Sequence, residues 1–225
     1  MKKLVILISG RGSNMLALLD ANLPCEVAAV VSDRPGAAGL DHAERSGISA
    51  LTVDYRQFPL RSDFDAALMA QIDRHEPDLV VLAGFMRVLG DAFVQHYQGR
   101  LLNIHPSLLP SFPGLHTHRQ ALLTGVRIHG CTVHFVTPAL DSGPIVIQAA
   151  VPVQDGDTED TLVARVLAQE HRIYPQAVRW FLEDKLKLGG DGRVMVDDMA
   201  NQDAALIVPC LDTRAASAAA SASGA

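Results

Sequence analysis

Five short apolar runs, separated by segments with helical spacing, limit this chain to very few folds. "KLVILIS" (3–9), "CEVAAVVS" (25–32), "ISALTVD" (48–54), "DLVVLAG" (78–84) and "RLLNIH" (100–105) read as strands covered on both faces. Between them, "NMLALLDA", "AAGLDHAERSG" and "SDFDAALMAQIDRHEP" place apolar residues on one helical face. Strands that alternate with helices build right-handed βαβ units and a mostly parallel sheet. The expectation is a Rossmann-like α/β fold with helices on both faces of that sheet.

After residue 125 the rhythm changes. "IHGCTVHFVT" and "GPIVIQAAVPV", joined through "PALDS", predict an antiparallel strand pair added to the sheet. "DTEDTLVARVLAQEHRIYPQAVRWFLED" predicts a long helix capped by Asp157 or Thr158 and kinked at Pro175. This regular pattern occupies residues 1–185. An extension over 186–212 carries "GRVMV" and "AALIVP", which are expected to form a small hairpin, and the Ala/Ser-rich end, 213–225, is expected to be disordered.

Composition narrows the function classes. Of 225 residues 48% are hydrophobic, enough for a large core, yet no apolar run approaches the roughly 18 residues of a membrane span. The "MKKLVILIS" start is too short for a signal peptide's apolar region and runs into Gly-Arg-Gly instead of a small-residue cleavage site. Cys25, Cys131 and Cys210 are scattered and odd in number, which predicts neither a disulfide framework nor a thiolate metal site and fits a cytoplasmic protein. With a formal charge of −6 and no basic run, nucleic acid is not an expected partner. An anionic substrate therefore has to be held by local donors.

"LISGRGSNMLALL" supplies such donors. Gly10, Gly12, Ser13 and Asn14 lie between the first strand and the first helix, where glycine permits close approach and a helix start offers free N–H groups to an anion. A dinucleotide fingerprint needs glycine where Met15 stands, and a P-loop needs Gly-Lys-Ser/Thr, so a monophosphate suits the loop better. The same residues also suit an ordinary turn with Ser13 or Asn14 as N-cap.

The second candidate site is the end of the fifth strand, in "LLNIHPSLLPSFPGLHTH". Asn103 and His105 are two apart in an extended segment and so face one side together, while Pro106, Pro110 and Pro113 stiffen the exit. An amide N–H can donate to a developing oxyanion, and an imidazole can carry a proton near neutral pH. Asp141, in the Gly/Pro-bounded "TPALDSGPI", can approach His105 and stabilise its imidazolium or hold a water. Such a set is equipped for acyl transfer to an amine, which supplies its own nucleophile.

"ISGRGSN", "VVLAGFMRVL", "LLNIHPSLLPSFPGLHTHRQAL", "GCTVHFVTPALDSGPIVIQ" and "QEHRIYP", in that order, resemble the phosphoribosylglycinamide formyltransferases, folate-dependent enzymes of purine biosynthesis. The resemblance runs from about residue 3 to residue 185. It implies transfer of a formyl group from 10-formyltetrahydrofolate, the donor cosubstrate, to the amine of glycinamide ribonucleotide, with no metal. It also implies a catalytic set of Asn103, His105 and Asp141, and ribonucleotide contacts from Gly12, Ser13, Asn14 and Glu170. Folate would be held by Arg61, by Met86, Arg87, Val88 and Leu89, by Asn103, and by Thr137 to Asp141. A monomer or a homodimer is compatible with it. Arg11 departs from the familiar loop, where Asn is usual, and nothing after Lys185 resembles the family.

Two relatives are weighed against this reading. Formyltetrahydrofolate hydrolases share the Asn-His-Asp set but carry an amino-terminal domain, for which a first strand at Lys3 leaves no room. Methionyl-transfer-RNA formyltransferases are longer and carry an RNA-binding domain, which a short acidic chain does not suggest. A binding module without turnover would explain the glycine loop and not the Asn103, His105 and Asp141 set. His116, His118, His129 and His134 raise the thought of zinc, but no His-Glu-x-x-His or thiolate pair accompanies them, and His134 is expected beside the cleft or in the core.

Overall fold

The apolar run near the start of the chain becomes an interior strand, β1 (Lys2–Ile8), in which Leu4 to Ile8 have no exposed surface. Its side chains alternate: Leu4, Ile6 and Ile8 enter one core, while Val5 and Leu7 enter a second. A strand can be apolar on both faces only where helices cover both. The computed structural model describes residues 1–197, 205, 206 and 208.

The elements then follow as α1 (Ser13–Asp20), β2 (Cys25–Ser32), α2 (Ala38–Arg45), β3 (Ser49–Thr52), α3 (Arg61–Asp73) and β4 (Leu79–Leu82). After them come α4 (Asp91–His96), β5 (Leu101–His105), α5 (Thr117–Thr124), β6 (Ile128–Phe135), β7 (Ile145–Pro152), α6 (Glu159–Leu182), β8 (Leu186–Leu188) and β9 (Val194–Val196). Seven strands form one sheet in the order β3-β2-β1-β4-β5-β6-β7. Pairs among β1 to β5 are parallel, whereas β6 runs against β5 and β7 against β6. This is the mostly parallel α/β sheet with an added antiparallel pair that the sequence leads one to expect.

One core packs α1, α2, α5 and α6 on a face of the sheet, through residues such as Met15, Leu40, Ala121 and Tyr174. The other packs α3 and α4 through Phe64, Leu68, Ile72 and Phe93. Leu68 and Ile72 are fully buried, so truncating either to Ala costs about 2–5 kcal/mol. The strand order reverses between β1 and β4, and a parallel sheet opens its ligand crevice at that point, beyond the carboxyl ends of its strands.

Of the two residues expected to cap α6, Thr158 does so, exchanging side-chain bonds with Thr161 in a capping box. Asp157 instead grips Arg165, whose guanidinium holds that carboxyl below the usual carboxylate range. The helix passes through Pro175 as one 24-residue element. Within the extension a small hairpin forms, in which Val194–Val196 pairs with Leu186–Leu188. A tight turn, with Gly192 N donating to Gly189 O, closes its short loop at low entropic cost. Of the run 204–209 only residues 205, 206 and 208 are among the described residues, and the end at 213–225 lies wholly outside them.

Candidate active site

The turn after β1 contains no side-chain cap. Gly12 is the N-cap of α1 at φ 75°, a conformation that favours glycine, and a Cβ there would crowd Gly39 Cα at 3.1 Å. Ser13 and Asn14 are not caps, contrary to one expectation; they are the first residues of the helix. The first helical bond is Leu16 N to Gly12 O, which leaves the preceding N–H groups of the turn to meet an anion.

Asn14 is buried, and its Nδ2 donates to Glu170 Oε2 at 2.7 Å, joining the first turn to α6. Burial pushes the Glu170 carboxyl above its ordinary range, and the Asn14 bond opposes that. Beside this loop, Ser9 Oγ accepts from Met86 N at 2.8 Å and pins the segment after β4 to the end of β1.

At the end of β5, Asn103 and His105 sit opposite His134 and Thr132 of β6. His134 Nδ1 lies 2.9 Å from the Phe135 carbonyl, which can only accept, so Nδ1 carries the proton. The other nitrogen, Nε2, then accepts from Asn103 Nδ2 at 3.1 Å. Burial lowers the His134 pKa and keeps this ring neutral. The same logic applies to His105: Nε2 donates to the Phe112 carbonyl at 3.0 Å, and Nδ1 faces Asp141 Oδ2 at 3.6 Å. The other Asp141 oxygen is 3.9 Å from His134 Nε2.

Asp141 is held from outside the pair. Its Oδ2 accepts from Gly114 N at 2.8 Å, and its backbone adopts φ 48°. The loop rejoins the sheet at Gly143, where a Cβ would lie 1.8 Å from the Phe135 carbonyl oxygen. Only glycine allows that approach.

These groups share one cleft of about 530 Å³. Asn14, Met86, Arg87, Val88, Leu89, Asn103, His105, Thr137, Asp141 and Glu170 all line it. Gly12 and Ser13 belong to the turn that delivers Asn14. Met86 and Val88 are more than half exposed, an apolar lip suited to a flat ring. The Arg87 side chain is committed elsewhere: Nε bonds buried Asp33 at 2.7 Å and the guanidinium lies 3.9 Å above the Tyr55 ring. Arg61 begins α3 with its guanidinium beside Gly90 and stands outside the cleft lining.

Reading the sequence did not single out three contributors: the Phe112 carbonyl, Gly114 N–H and the contact of His134 with Asn103. The last had a signal in "TVHFV", whose alternation puts Thr132 and His134 on one face, but the register with β5 was needed to use it. His118 and His129 form an edge-to-face pair with centroids 5.2 Å apart. Burial lowers both, His129 to about 4. Among the described residues, no three His, Cys, Asp or Glu side chains come together as a metal site.

The chain matches the formyl transferase family model over residues 2–178. It is 53% identical over 189 residues to a phosphoribosylglycinamide formyltransferase of Escherichia coli (strain K12), covering 82% of this chain and 89% of that one. It is 45% identical over 196 residues to the human trifunctional purine biosynthetic protein adenosine-3, covering 85% of this chain but 19% of that much longer protein. A solved glycinamide ribonucleotide transformylase 1 from Symbiobacterium toebii superposes with a TM-score of 0.85 at 50% identity, over 88% of this chain and 95% of that one. A formyltetrahydrofolate deformylase from Pseudomonas syringae pv. tomato superposes at 0.79 with 32% identity, over 88% and 67%.

Proposed function

Because this chain belongs to the formyl transferase family, we propose that it moves the formyl group of 10-formyltetrahydrofolate to the amine of 5-phosphoribosylglycinamide, a step of purine biosynthesis. The observation that carries the reading is the meeting of Asn103, His105 and Asp141 in one cleft with Asn14 and Glu170.

The chemistry follows from the geometry. The amine lone pair attacks the formyl carbon, and the carbonyl oxygen takes up negative charge. One N–H of Asn103 is engaged by His134 Nε2, which orients the amide so that its second N–H can donate to that oxygen. Protonated His105 has an Nδ1–H on the side of Asp141, where it can serve the same oxygen or return the proton. The carbon–nitrogen bond to folate breaks as the surplus amine proton, passed through Asp141 or a water it holds, reaches N10. One C–N bond forms, one breaks, and one proton moves between nitrogens.

In this reading the free N–H groups at the start of α1 take the phosphate, with Glu170 beside the ribonucleotide. Met86 to Leu89 and the loop Thr137 to Asp141 flank the pterin. Arg61 attracts the glutamate tail from outside the cleft. Residues 1–185 form the catalytic unit, acting in the cytoplasm as a monomer or homodimer, with these two small molecules as its partners.

The test is to mix the protein with 10-formyltetrahydrofolate and follow deformylated folate by absorbance, with and without the ribonucleotide. Release that depends on the ribonucleotide is expected. Equal release without it would reassign the activity to hydrolysis, and no release at all would remove the proposal.

A further inference from the structure

Behind the catalytic pair lies a buried hydroxyl with every valence used. Thr132 stands opposite His105 on β6 and has no exposed surface. Its Oγ1 donates to Ser107 O at 2.7 Å, accepts from Leu109 N at 3.1 Å, and accepts from Gln148 Nε2 at 2.9 Å. One proton and two lone pairs are the whole capacity of a hydroxyl, so its direction is determined. The second proton of Gln148 Nε2 goes to Leu109 O at 2.9 Å. Three of these four bonds fasten residues 107 to 109 onto β6 and β7, and the fourth ties Gln148 to Thr132 itself.

The fastened segment sets the course of the loop up to residue 113. Ser107 Oγ donates to Ser111 O at 2.7 Å, and the next residue, Phe112, presents the carbonyl that His105 Nε2 engages. Resting on the formyl-transfer reading above, we propose that Thr132, seconded by Gln148, is a positioning residue for that reaction. It holds the 106–113 loop so that the Phe112 carbonyl claims Nε2 of His105 and leaves Nδ1 as the nitrogen that gains and loses the proton opposite Asp141.

Thr132→Val keeps the shape and removes all three bonds, whereas Thr132→Ser keeps the hydroxyl. With Val, kcat is expected to fall about 10- to 100-fold while both KM values stay within about threefold, because orientation and not binding is lost. The pH profile of kcat should shift with it. Ser should remain within about threefold of the parent. Independently of turnover, imidazole ¹⁵N spectra, assigned with His105→Asn, should show the Nε2–H tautomer in the parent and a mixture in the Val variant.

A Val variant with parental kcat, pH profile and tautomer would overturn the proposal, as would a Ser variant damaged as badly as Val. Should Val fail to fold by circular dichroism, Gln148→Leu removes two of the four bonds. Parental kcat and tautomer there would equally overturn it. If the parent lacks ribonucleotide-dependent turnover, the functional reading fails while the tautomer spectra still judge this one.

Discussion

Asn103 Nδ2 stands 3.1 Å from His134 Nε2, on a ring whose opposite nitrogen is tied to the Phe135 carbonyl. An amide held this way spends one N–H on orientation and, in the proposed reaction, keeps one for the substrate. Asn103→Ala is therefore expected to lower kcat by about 10²–10³-fold. His134→Ala should lower it about 10-fold, because the amide survives but is free to rotate. The double variant should be no worse than Asn103→Ala alone. Additive losses would show that the two side chains act separately.

The Asn14–Glu170 bond predicts a change confined to one substrate. Glu170→Ala is expected to raise KM for the ribonucleotide about 10-fold, roughly the loss of one charge-assisted contact, and to leave KM for folate unchanged. Glu170→Gln retains an acceptor for Asn14 Nδ2. Ribonucleotide binding that recovers in the Gln variant would assign the carboxyl a positioning task, and binding that stays weak would assign it a charge contact.

His129 predicts acid sensitivity. It is buried between His118 and Phe112, both ring nitrogens are unpaired, and the nearby Pro106 carbonyl only partly offsets the burial that takes its pKa to about 4. A histidine whose folded pKa is depressed binds its proton more readily when unfolded. Stability is thus full above the unfolded value near 6.5 and declines as pH falls toward 4, by about 2 kcal/mol between pH 7 and pH 5. Urea denaturation at the two pH values checks this. His129→Phe should flatten the dependence, and an unchanged slope in that variant would place the sensitivity elsewhere.

Arg87 predicts a mixed effect. The Asp33 side chain is fully buried and bonded to Arg87 Nε, so Arg87→Met should destabilise the protein by about 2 kcal/mol by leaving that carboxylate only the longer ion pair with Arg34, at 3.8 Å. It should also raise KM for folate, since Met86 and Val88 depend on this anchor, with KM for the ribonucleotide unchanged. Thermal melts and paired KM measurements decide it. A stable variant with normal folate KM would contradict both halves.

How much of this is legible in the sequence depends on how local each cause is. Leu4 to Ile8 had to be apolar in succession because both faces of β1 are covered, and that requirement is written in the run itself. Asn103 and His105 share a side because residues two apart in a strand do. The partner of Asn103 was not legible, since His134 reaches it only through the β5–β6 register and the irregularity at Val133/His134 in the next strand pair. That the Arg87 side chain of the expected folate segment is taken by Asp33, 54 residues away, was not legible either. The hairpin was legible only in part: "GRVMV" is strand-like in itself, but its pairing with Leu186–Leu188 depended on the turn between them.

The bond between Asn14 and Glu170 spans 156 positions of the chain. At ordinary ribosomal speeds of about 5–20 residues per second, the first turn waits roughly 8 to 30 seconds for its partner to be made. By then the residues of β1 to β7 have been synthesised, Asn103, His105 and Asp141 among them. The end of the cleft that Asn14 and Glu170 line is thus the last part to become complete. On the proposed reading, a nascent chain that has the groups for formyl transfer still lacks one wall of the place where its acceptor would sit, and competence would arrive only with α6.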